Sequence, residues 1–278
     1  MLIAFYSDIR GNAGTTSNLC CLAAYYAIRK KQKILLWENH RNWNRIEDNF
    51  TPRTRLSLLC ESITPYHMNA SKELFCRLQS KEKLELVWQV EELAEELYTD
   101  TLYYLPNRQI ENALLEKELM KILPQFITLC RESEELVFVD LQDMNKASTQ
   151  YILEKADLVM LNLMQHMNPF GKKELRKHIS ISNVRYLIGN YQPNSKINIK
   201  NIARKYKIPS MDIATIPYNI LCKEAMSEGR VIDFISANIE CKQGDYNYPF
   251  MYALEQAAKM LNEAMQSIDK GRCEDCCI

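Results

Sequence analysis

The sequence predicts an α/β fold in which a mostly parallel, twisted sheet carries helices on both faces. Strand-like and helix-like segments alternate along the whole chain, as in parallel sheets whose strands are joined by helices. An apolar run at residues 1–6 leads into a glycine-containing loop that opens a helix. Because the chain has 278 residues, 47% of them hydrophobic, it can bury one substantial core, and we expect a single domain.

Hydrophobic periodicity places each element in turn. The predicted strands are 2–6, 33–37, 101–105, 135–140, 157–163, 184–189 and 211–215. The predicted helices are 16–31, 112–131, 146–155, 170–179, 199–206 and 248–265, and Pro124 is expected to kink or break the second of them. Segments 53–63 and 71–79 also have helical spacing, whereas 84–97 mixes both periods. The domain is predicted to cover 1–267, and a flexible, cysteine-containing tail to cover 268–278.

Charge and composition exclude several classes of function. Basic and acidic residues number 35 each, so no overall field favours nucleic acid or an anionic membrane. The first residues show no basic segment followed by a long apolar stretch and a small-residue cleavage site, and the sequence contains no run of about 18 apolar residues, so we expect a cytoplasmic protein. Most of the ten cysteines are expected to be reduced and buried. The tail cysteines Cys273, Cys276 and Cys277 lack the second cluster that a four-ligand metal site needs.

Polar residues follow five of the predicted strands, at 10–16, 38–44, 140–145, 190–192 and 217–219. Ligands of such folds bind at the carboxyl ends of the strands, so these segments are predicted to form the site. The first segment has the architecture of a phosphate-binding loop, because backbone N–H groups and a helix N-terminus converge there on an anion. The alternative is an ordinary turn in which Thr15, Thr16 or Ser17 caps the helix.

The loop and the segments after it resemble the ParA/MinD-like ATPases, whose deviant phosphate-binding loop has the form K-G-G-x-G-K-T. Arg10-Gly11-Asn12-Ala13-Gly14-Thr15-Thr16 lines up with that motif without a gap. The later segments similar to family motifs are KILLWENH, LYYLPN, ELVFVDLQDMNKASTQYILEKADLVMLNL, YLIGNY and ATIPYNILCKEAMSEGRVI. Because their order and spacing hold over nearly the whole chain, the resemblance implies a P-loop NTPase-like fold, binding of ATP or ADP with magnesium, and a homodimer.

The resemblance also implies roles for single residues. The implied nucleotide-binding residues are Arg10, Gly11, Asn12, Ala13, Gly14, Thr15, Thr16, Ser17, Asn190, Pro217 and Tyr218. Thr16 and Asp140 match the residues that hold magnesium, and Asn190 matches an asparagine that reads adenine. From the residues alone, Asp140 is alternatively a strand-end cap and Asn190 a turn former.

Two departures from the family pattern bear on hydrolysis. Thr15 replaces the catalytic lysine that neutralises the phosphates, and Arg10 stands where the family's signature lysine reaches across the dimer. After the second strand, Glu38 keeps the first acidic residue, whereas His40 replaces the second, which helps to position the attacking water. Glu38 and His40 are the candidate catalytic residues, with His40 alternatively a surface residue. We expect hydrolysis to be slow or absent.

The resemblance therefore implies a nucleotide-dependent, dimerising localisation or assembly factor. Members with an altered loop lysine include the TadZ- or CpaE-like localisation factors of Flp pilus systems, and the Thr-Thr-Ser after Gly14 is similar to theirs. This likeness implies a protein partner in a pilus or secretion system, which would recruit the chain to the membrane or pole without direct membrane contact. The alternatives are an active ParA-type ATPase for DNA partition or division positioning, and a nucleotide-free scaffold.

Overall fold

The computed structural model describes residues 1–9, 11, 13–40, 46–52, 94–105, 112–133, 135–166 and 183–275. Its strands are β1 (Leu2–Tyr6), β2 (Ile34–Glu38), β3 (Glu95–Tyr98), β4 (Leu102–Leu105), β5 (Leu136–Leu141), β6 (Leu158–Leu163), β7 (Val184–Tyr191) and β8 (Ile213–Pro217). Its α-helices are α1 (Thr15–Lys30), α2 (Ile46–Phe50), α3 (Asn112–Glu132), α4 (Ala147–Lys155), α5 (Ile199–Tyr206), α6 (Ile220–Ser227), α7 (Val231–Asn238) and α8 (Tyr248–Asp275). The numbering counts these described elements alone.

The described strands form one sheet in the order β3-β4-β2-β5-β1-β6-β7-β8. All neighbouring pairs are parallel except β3 with β4. Every residue of β1, β2, β4, β5 and β6 is buried, as expected of parallel strands that are covered on both faces. Because β1 lies between β5 and β6, the loop that follows it leaves the sheet near the middle of its carboxyl edge.

Helices cover both faces of the sheet and give two hydrophobic cores. On one face, Leu2, Ala4 and Tyr6 of β1 belong to a core that includes residues of α3, α4 and α5. On the other face, Ile3 and Phe5 belong to a core that includes residues of α1, α6, α7 and α8. The alternation of neighbouring β1 residues between two cores confirms the predicted α/β fold with helices on both faces.

The observed elements match most of the predicted ones, but the short helices α2, α6 and α7 have no counterpart among the helices predicted from periodicity, and three further differences concern β3, α3 and α8. The prediction lacks β3, because Glu95 and Glu96 obscure the apolar pattern of this antiparallel edge strand. Helix α3 contains Pro124 without a break between Asn112 and Glu132. Helix α8 continues to Asp275, well beyond the predicted end, because Ile268 still packs against the core. The tail predicted to begin at residue 268 therefore starts inside a helix.

Some predictions concern parts of the chain outside the described residues. These are the helices at 53–63, 71–79 and 170–179, the loop residues Arg10 and Asn12, and the cysteines Cys276 and Cys277. Among the helices that the structure does describe, none combines the length and the hydropathy of a membrane span.

Candidate functional site

A cavity of about 690 Å³ lies at the carboxyl edge of the sheet, a volume within the usual range of small-molecule sites. It is bordered by the loop after β1, by residues of α2, by residues at the carboxyl ends of β5 and β7, and by the segment from β8 into α6. Of the predicted binding residues that the structure describes, all but Ala13 line it, namely Gly11, Gly14, Thr15, Thr16, Ser17, Asn190, Pro217 and Tyr218. Residues of four of the five predicted site segments therefore line one cavity, whereas no described residue of segment 38–44, Glu38 and His40 included, is among them.

Two glycines give the loop after β1 its shape. Gly11 has a φ of +80° and Gly14 a φ of +68°, left-handed conformations that other residues adopt only with strain. Gly14 is the N-cap of α1, which begins without a side-chain cap hydrogen bond. The alternative in which Thr15, Thr16 or Ser17 caps the helix is therefore wrong. The first amide groups of α1 remain available to an anion.

A buried amide network holds this loop against β6 and β7. Asn18 Nδ2 donates to the Ala13 carbonyl at 3.3 Å and to Asn162 Oδ1 at 2.8 Å. A Cβ atom at Gly189 would lie 2.2 Å from the Ala13 carbonyl oxygen and 2.7 Å from Asn18 Nδ2. Glycine is therefore required where β7 passes beneath the loop. Ala13 takes part in this support and does not line the cavity.

Thr16 and Asp140 lie together, as the resemblance implies. The Thr16 hydroxyl donates to Asp140 Oδ2 at 2.5 Å, and Asp140 is fully buried. Asp140 Oδ1 has no hydrogen-bond partner among the described residues, which leaves a buried carboxylate oxygen for a cation or a water. Because a hydroxyl and a carboxylate oxygen are ligands that Mg²⁺ accepts, the pair fits a magnesium ion.

The protein groups alone would not complete the coordination of such an ion. Within the described ranges, no cluster of three His, Cys, Asp or Glu side chains is placed to hold a metal. Mg²⁺ commonly takes one or two protein ligands and fills its other positions with water and substrate phosphates. The Thr16–Asp140 pair matches that mode of binding better than a dedicated protein cage.

His40 is a buried partner of Asp140 and not a surface residue. Its Nε2 lies 3.0 Å from Asp140 Oδ2 and 3.0 Å from Gln142 Nε2. Burial by itself would lower the pKa of His40, but the charge and hydrogen bond of Asp140 and the charge of Glu38 outweigh burial and raise it. The raised pKa favours an imidazolium paired with Asp140, a state that does not suit a proton acceptor.

Glu38 is held under the start of α2. Its Oε1 accepts a hydrogen bond from the Tyr104 hydroxyl at 2.9 Å, and its Oε2 accepts one from the Ile46 backbone N–H at 3.1 Å. Burial raises the pKa of Glu38, while the charge of His40 and these two hydrogen bonds oppose the rise. Since both carboxyl oxygens already accept hydrogen bonds from protein groups, the geometry supports a role of Glu38 in positioning the start of α2.

Another part of the cavity wall is formed by β7, β8 and α6. Asn190 has a φ of +50° where the pairing of β7 and β8 shifts register. The Tyr218 backbone N–H donates to the Tyr191 carbonyl at 3.2 Å, which ties the two strand ends together. Lys223 Nζ lies 5.9 Å from the centre of the Tyr218 ring. Among the described residues that line the cavity, Lys223 is the only lysine or arginine.

Several residues around the cavity have no role in the sequence prediction. They are Asn18, Cys21, Asn49, Gly189, Cys222 and Lys223. A polar side chain at Asn18, on the mostly apolar buried face of α1, is a signal that the sequence does contain. Cys21 lies one turn further along α1, and the others come to the cavity through the packing of β7, α2 and α6, which periodicity does not specify.

Comparison with known proteins gives likeness in structure and none in sequence. No family matches the sequence, and no curated protein is similar to it. A ParA family ATPase from Chlorobium tepidum has a TM-score of 0.62 at 13% identity, over 92% of this chain and 96% of that one. The MinC:MinD cell division complex of Aquifex aeolicus gives 0.60 at 13% identity, over 94% and 96%.

A third solved structure contains ligands. MinD of Pyrococcus horikoshii, in complex with Mg-ADP, has a TM-score of 0.59 at 13% identity, over 96% of this chain and 98% of that one. Identities of this size speak for the fold alone. The chain has the fold of the ParA/MinD ATPases.

Proposed function

We propose that the chain binds ATP or ADP together with magnesium in the cavity at the carboxyl edge of the sheet. The observation that carries this proposal is that an anion-binding helix start and ring and amide side chains line one cavity. The helix start is the uncapped beginning of α1 with Thr16, and the ring and amide side chains are those of Tyr218 and Asn190. Mg-ADP bound to a MinD of the same fold supports it.

Calorimetric titration of the full chain with ATP and magnesium chloride tests this function. Saturable heat with a single site is expected. Thr16→Val removes the hydroxyl that bonds to Asp140 and should weaken binding, whereas Thr128→Val, at an exposed threonine of α3, should bind like the wild type. Absence of heat from the wild type at high protein concentration would contradict nucleotide binding.

We further propose that hydrolysis is weak or absent. Thr15 brings no positive charge to the phosphates, and Nε2 of His40 is engaged by Asp140. Loss of one such electrostatic group typically costs about 10²-fold or more in rate. Release of inorganic phosphate at saturating Mg-ATP should therefore be near background. A steady turnover abolished by Asp140→Ala would support the alternative of an active ParA-type ATPase.

The substitution Thr15→Lys probes whether the loop lacks only a charge. A lysine at this place would reach the phosphates of a nucleotide held by the loop, so ATP affinity should rise. Ser17→Lys, two residues further along the same helix and also at the cavity, is the matched control for added charge. Unchanged affinity in Thr15→Lys, or an equal gain in Ser17→Lys, would contradict a competent loop.

The proposed role is that of a nucleotide-dependent, dimerising localisation or assembly factor, with Flp pilus or secretion machinery as its setting. This part rests on the resemblance of the loop, in which Arg10 matches a residue that acts across the dimer. Sedimentation velocity should show a dimer with Mg-ATP and a monomer without it, and Arg10→Ala should remove the dimer. A fluorescent fusion should lose its polar focus in cells without the pilus genes. A monomer under all conditions would contradict the role.

A nucleotide-free scaffold is the second candidate. The observation that favours it is the buried His40–Asp140 ion pair, in which the protein itself neutralises the carboxylate that would otherwise require a cation. A scaffold predicts no heat in the titration and no change in melting temperature with Mg-ATP. The same two measurements therefore decide between the candidates.

A further inference from the structure

Two buried thiols face each other at the wall of the cavity. Cys21 of α1 and Cys222 of α6 have their Sγ atoms 3.7 Å apart, a contact distance for two thiols. They are 2% and 3% exposed, and both line the cavity, so a molecule small enough to enter it can reach them. The two helices are separated by most of the chain but border the same space.

Their positions connect two helices of the candidate site. Cys21 lies in α1, the helix that starts at the loop, and Cys222 lies in the first turn of α6, directly after Pro217 and Tyr218. The backbone N–H of Cys222 donates to Asn219 Oδ1 at 2.8 Å, so the α6 thiol is held by the helix cap. A covalent bond between the sulfurs would therefore join the loop helix α1 to α6, a second helix that lines the cavity.

We propose that Cys21 and Cys222 form a redox-sensitive pair, which a hydroperoxide closes to a disulfide at the wall of the cavity. One thiol, as its thiolate, attacks the outer peroxide oxygen; the O–O bond breaks, and a sulfenic acid forms while water or an alcohol leaves. The second thiol attacks that sulfur, so that the S–S bond forms, the S–O bond breaks and water leaves. Two electrons pass from the sulfurs to the peroxide oxygens.

Closure should reshape the cavity. The sulfurs must approach from 3.7 Å to about 2.0 Å, which draws α1 and α6 together. The hydrogen bond between the thiols and their burial raise the pKa of Cys21, so the reduced pair is the resting state and closes slowly. If the cavity takes a nucleotide, as proposed above, the disulfide form should bind it about tenfold more weakly.

Thermodynamic linkage allows the same coupling to be measured as the effect of bound nucleotide on the disulfide. If the disulfide weakens nucleotide binding, a bound nucleotide must disfavour the disulfide by the same factor. In a glutathione redox buffer, saturating Mg-ATP should therefore raise the reduction potential of the pair by about 30 mV for a tenfold effect. The change in nucleotide affinity is obtained by calorimetry, and the reduction potential is obtained independently from the amount of free thiol.

The test treats the full chain with hydrogen peroxide, alkylates the remaining thiols and maps disulfides by peptide mass spectrometry. A Cys21–Cys222 peptide pair in the wild type is expected, and weaker Mg-ATP binding by the oxidised protein should accompany it. Cys222→Ala should abolish both the crosslink and the change in affinity on oxidation. Cys130→Ala should retain both, because Cys130 is buried in the core on the other face of the sheet, where burial raises its pKa to about 12.

Each result bears on the proposal directly. Absence of the crosslink in the wild type, or a crosslink that joins Cys222 to the neighbouring Cys20 instead, would overturn the pair. A crosslink that leaves nucleotide affinity unchanged would overturn the coupling to the cavity. If the reduced wild type binds no nucleotide, the proposed function fails, but disulfide mapping by mass spectrometry still decides whether the two thiols form a pair.

Discussion

The pairing of His40 with Asp140 places two opposite charges in the interior of the protein. Both side chains are almost completely buried, and the Thr16 hydroxyl shares the same carboxylate oxygen. A buried ion pair is weak evidence for net stability, but removal of one partner leaves the other charge uncompensated. The two single variants should therefore behave differently from the double variant.

His40→Ala should lower the free energy of unfolding by about 3–5 kcal/mol, because the Asp140 carboxylate stays buried without its cation. The double variant with Asp140→Asn should lose less than the sum of the two single losses. Urea unfolding followed by circular dichroism measures all three. Strictly additive losses would show that the two side chains do not interact energetically.

Gly189 tests how closely β7 must approach the loop. In Gly189→Ala the new methyl group would meet the Ala13 carbonyl oxygen at 2.2 Å, and the backbone must move. We expect a stability loss of about 1–3 kcal/mol together with weaker nucleotide binding, since the loop moves with its support. Gly271→Ala is the control: it lies in helix α8 with open space around it and should be neutral or slightly stabilising. Equal behaviour of both variants in unfolding and calorimetry would refute the argument.

At the scale of elements, α6 connects the cavity to the last part of the fold. Asn219 caps α6 and donates from Nδ2 to Asn247 Oδ1 at 2.9 Å. Asn247 in turn donates to Asn238 Oδ1 at 2.8 Å, so one chain of amides joins α6, the end of α7 and the start of α8. This network fixes the position of α6, and α6 places Lys223 at the cavity.

Asn219→Ala should destabilise the protein by about 1–2 kcal/mol through loss of the cap and should also weaken nucleotide binding. The matched control is Asn198→Ala, which removes the same kind of cap from α5. The Asn198 side chain accepts a hydrogen bond of 3.0 Å from the Asn201 N–H, and Asn198 does not line the cavity. The control should lose stability alone. Thermal unfolding and calorimetry on both proteins separate the two effects, and a binding loss of equal size in Asn198→Ala would contradict a specific role of α6.

The elements that periodicity predicts best are the buried ones. The runs that become β1, β5 and β6 are almost entirely apolar because both faces of the sheet are covered, and their bounds follow from composition; the exceptions are Asp140 in β5 and Asn162 in β6. Strand β3 is not predicted because an edge strand needs no such run.

The predicted site segments lie at the same edge of the sheet because all of them follow parallel strands. Their partners do not follow from spacing: the pairing of His40 with Asp140 depends on the order of strands across the sheet, which places β2 beside β5.

At the scale of the whole molecule, the cavity and the two cores depend on one another. Strand β1 contributes to both cores and leads directly into the loop at the cavity. The first amide groups of α1, the Thr16–Asp140 pair and the residues after β7 and β8 come together only when the sheet is formed. A ligand of this cavity therefore binds the native state and not the unfolded chain, so its binding free energy adds to the stability of the fold.

This linkage gives a prediction for the intact protein. Mg-ATP at a concentration of about 100 times its Kd should raise the free energy of unfolding by about 2.7 kcal/mol and increase Tm in a calorimetric scan. Asp140→Asn should respond equally to ATP with and without magnesium, because the carboxylate oxygen that fits the ion is lost. Inorganic phosphate and adenosine, each alone, would make only part of the contacts proposed for ATP and should raise Tm less than ATP does. If phosphate alone gives the full increase, then only the loop binds, and the residues after β7 and β8 take no part in recognition.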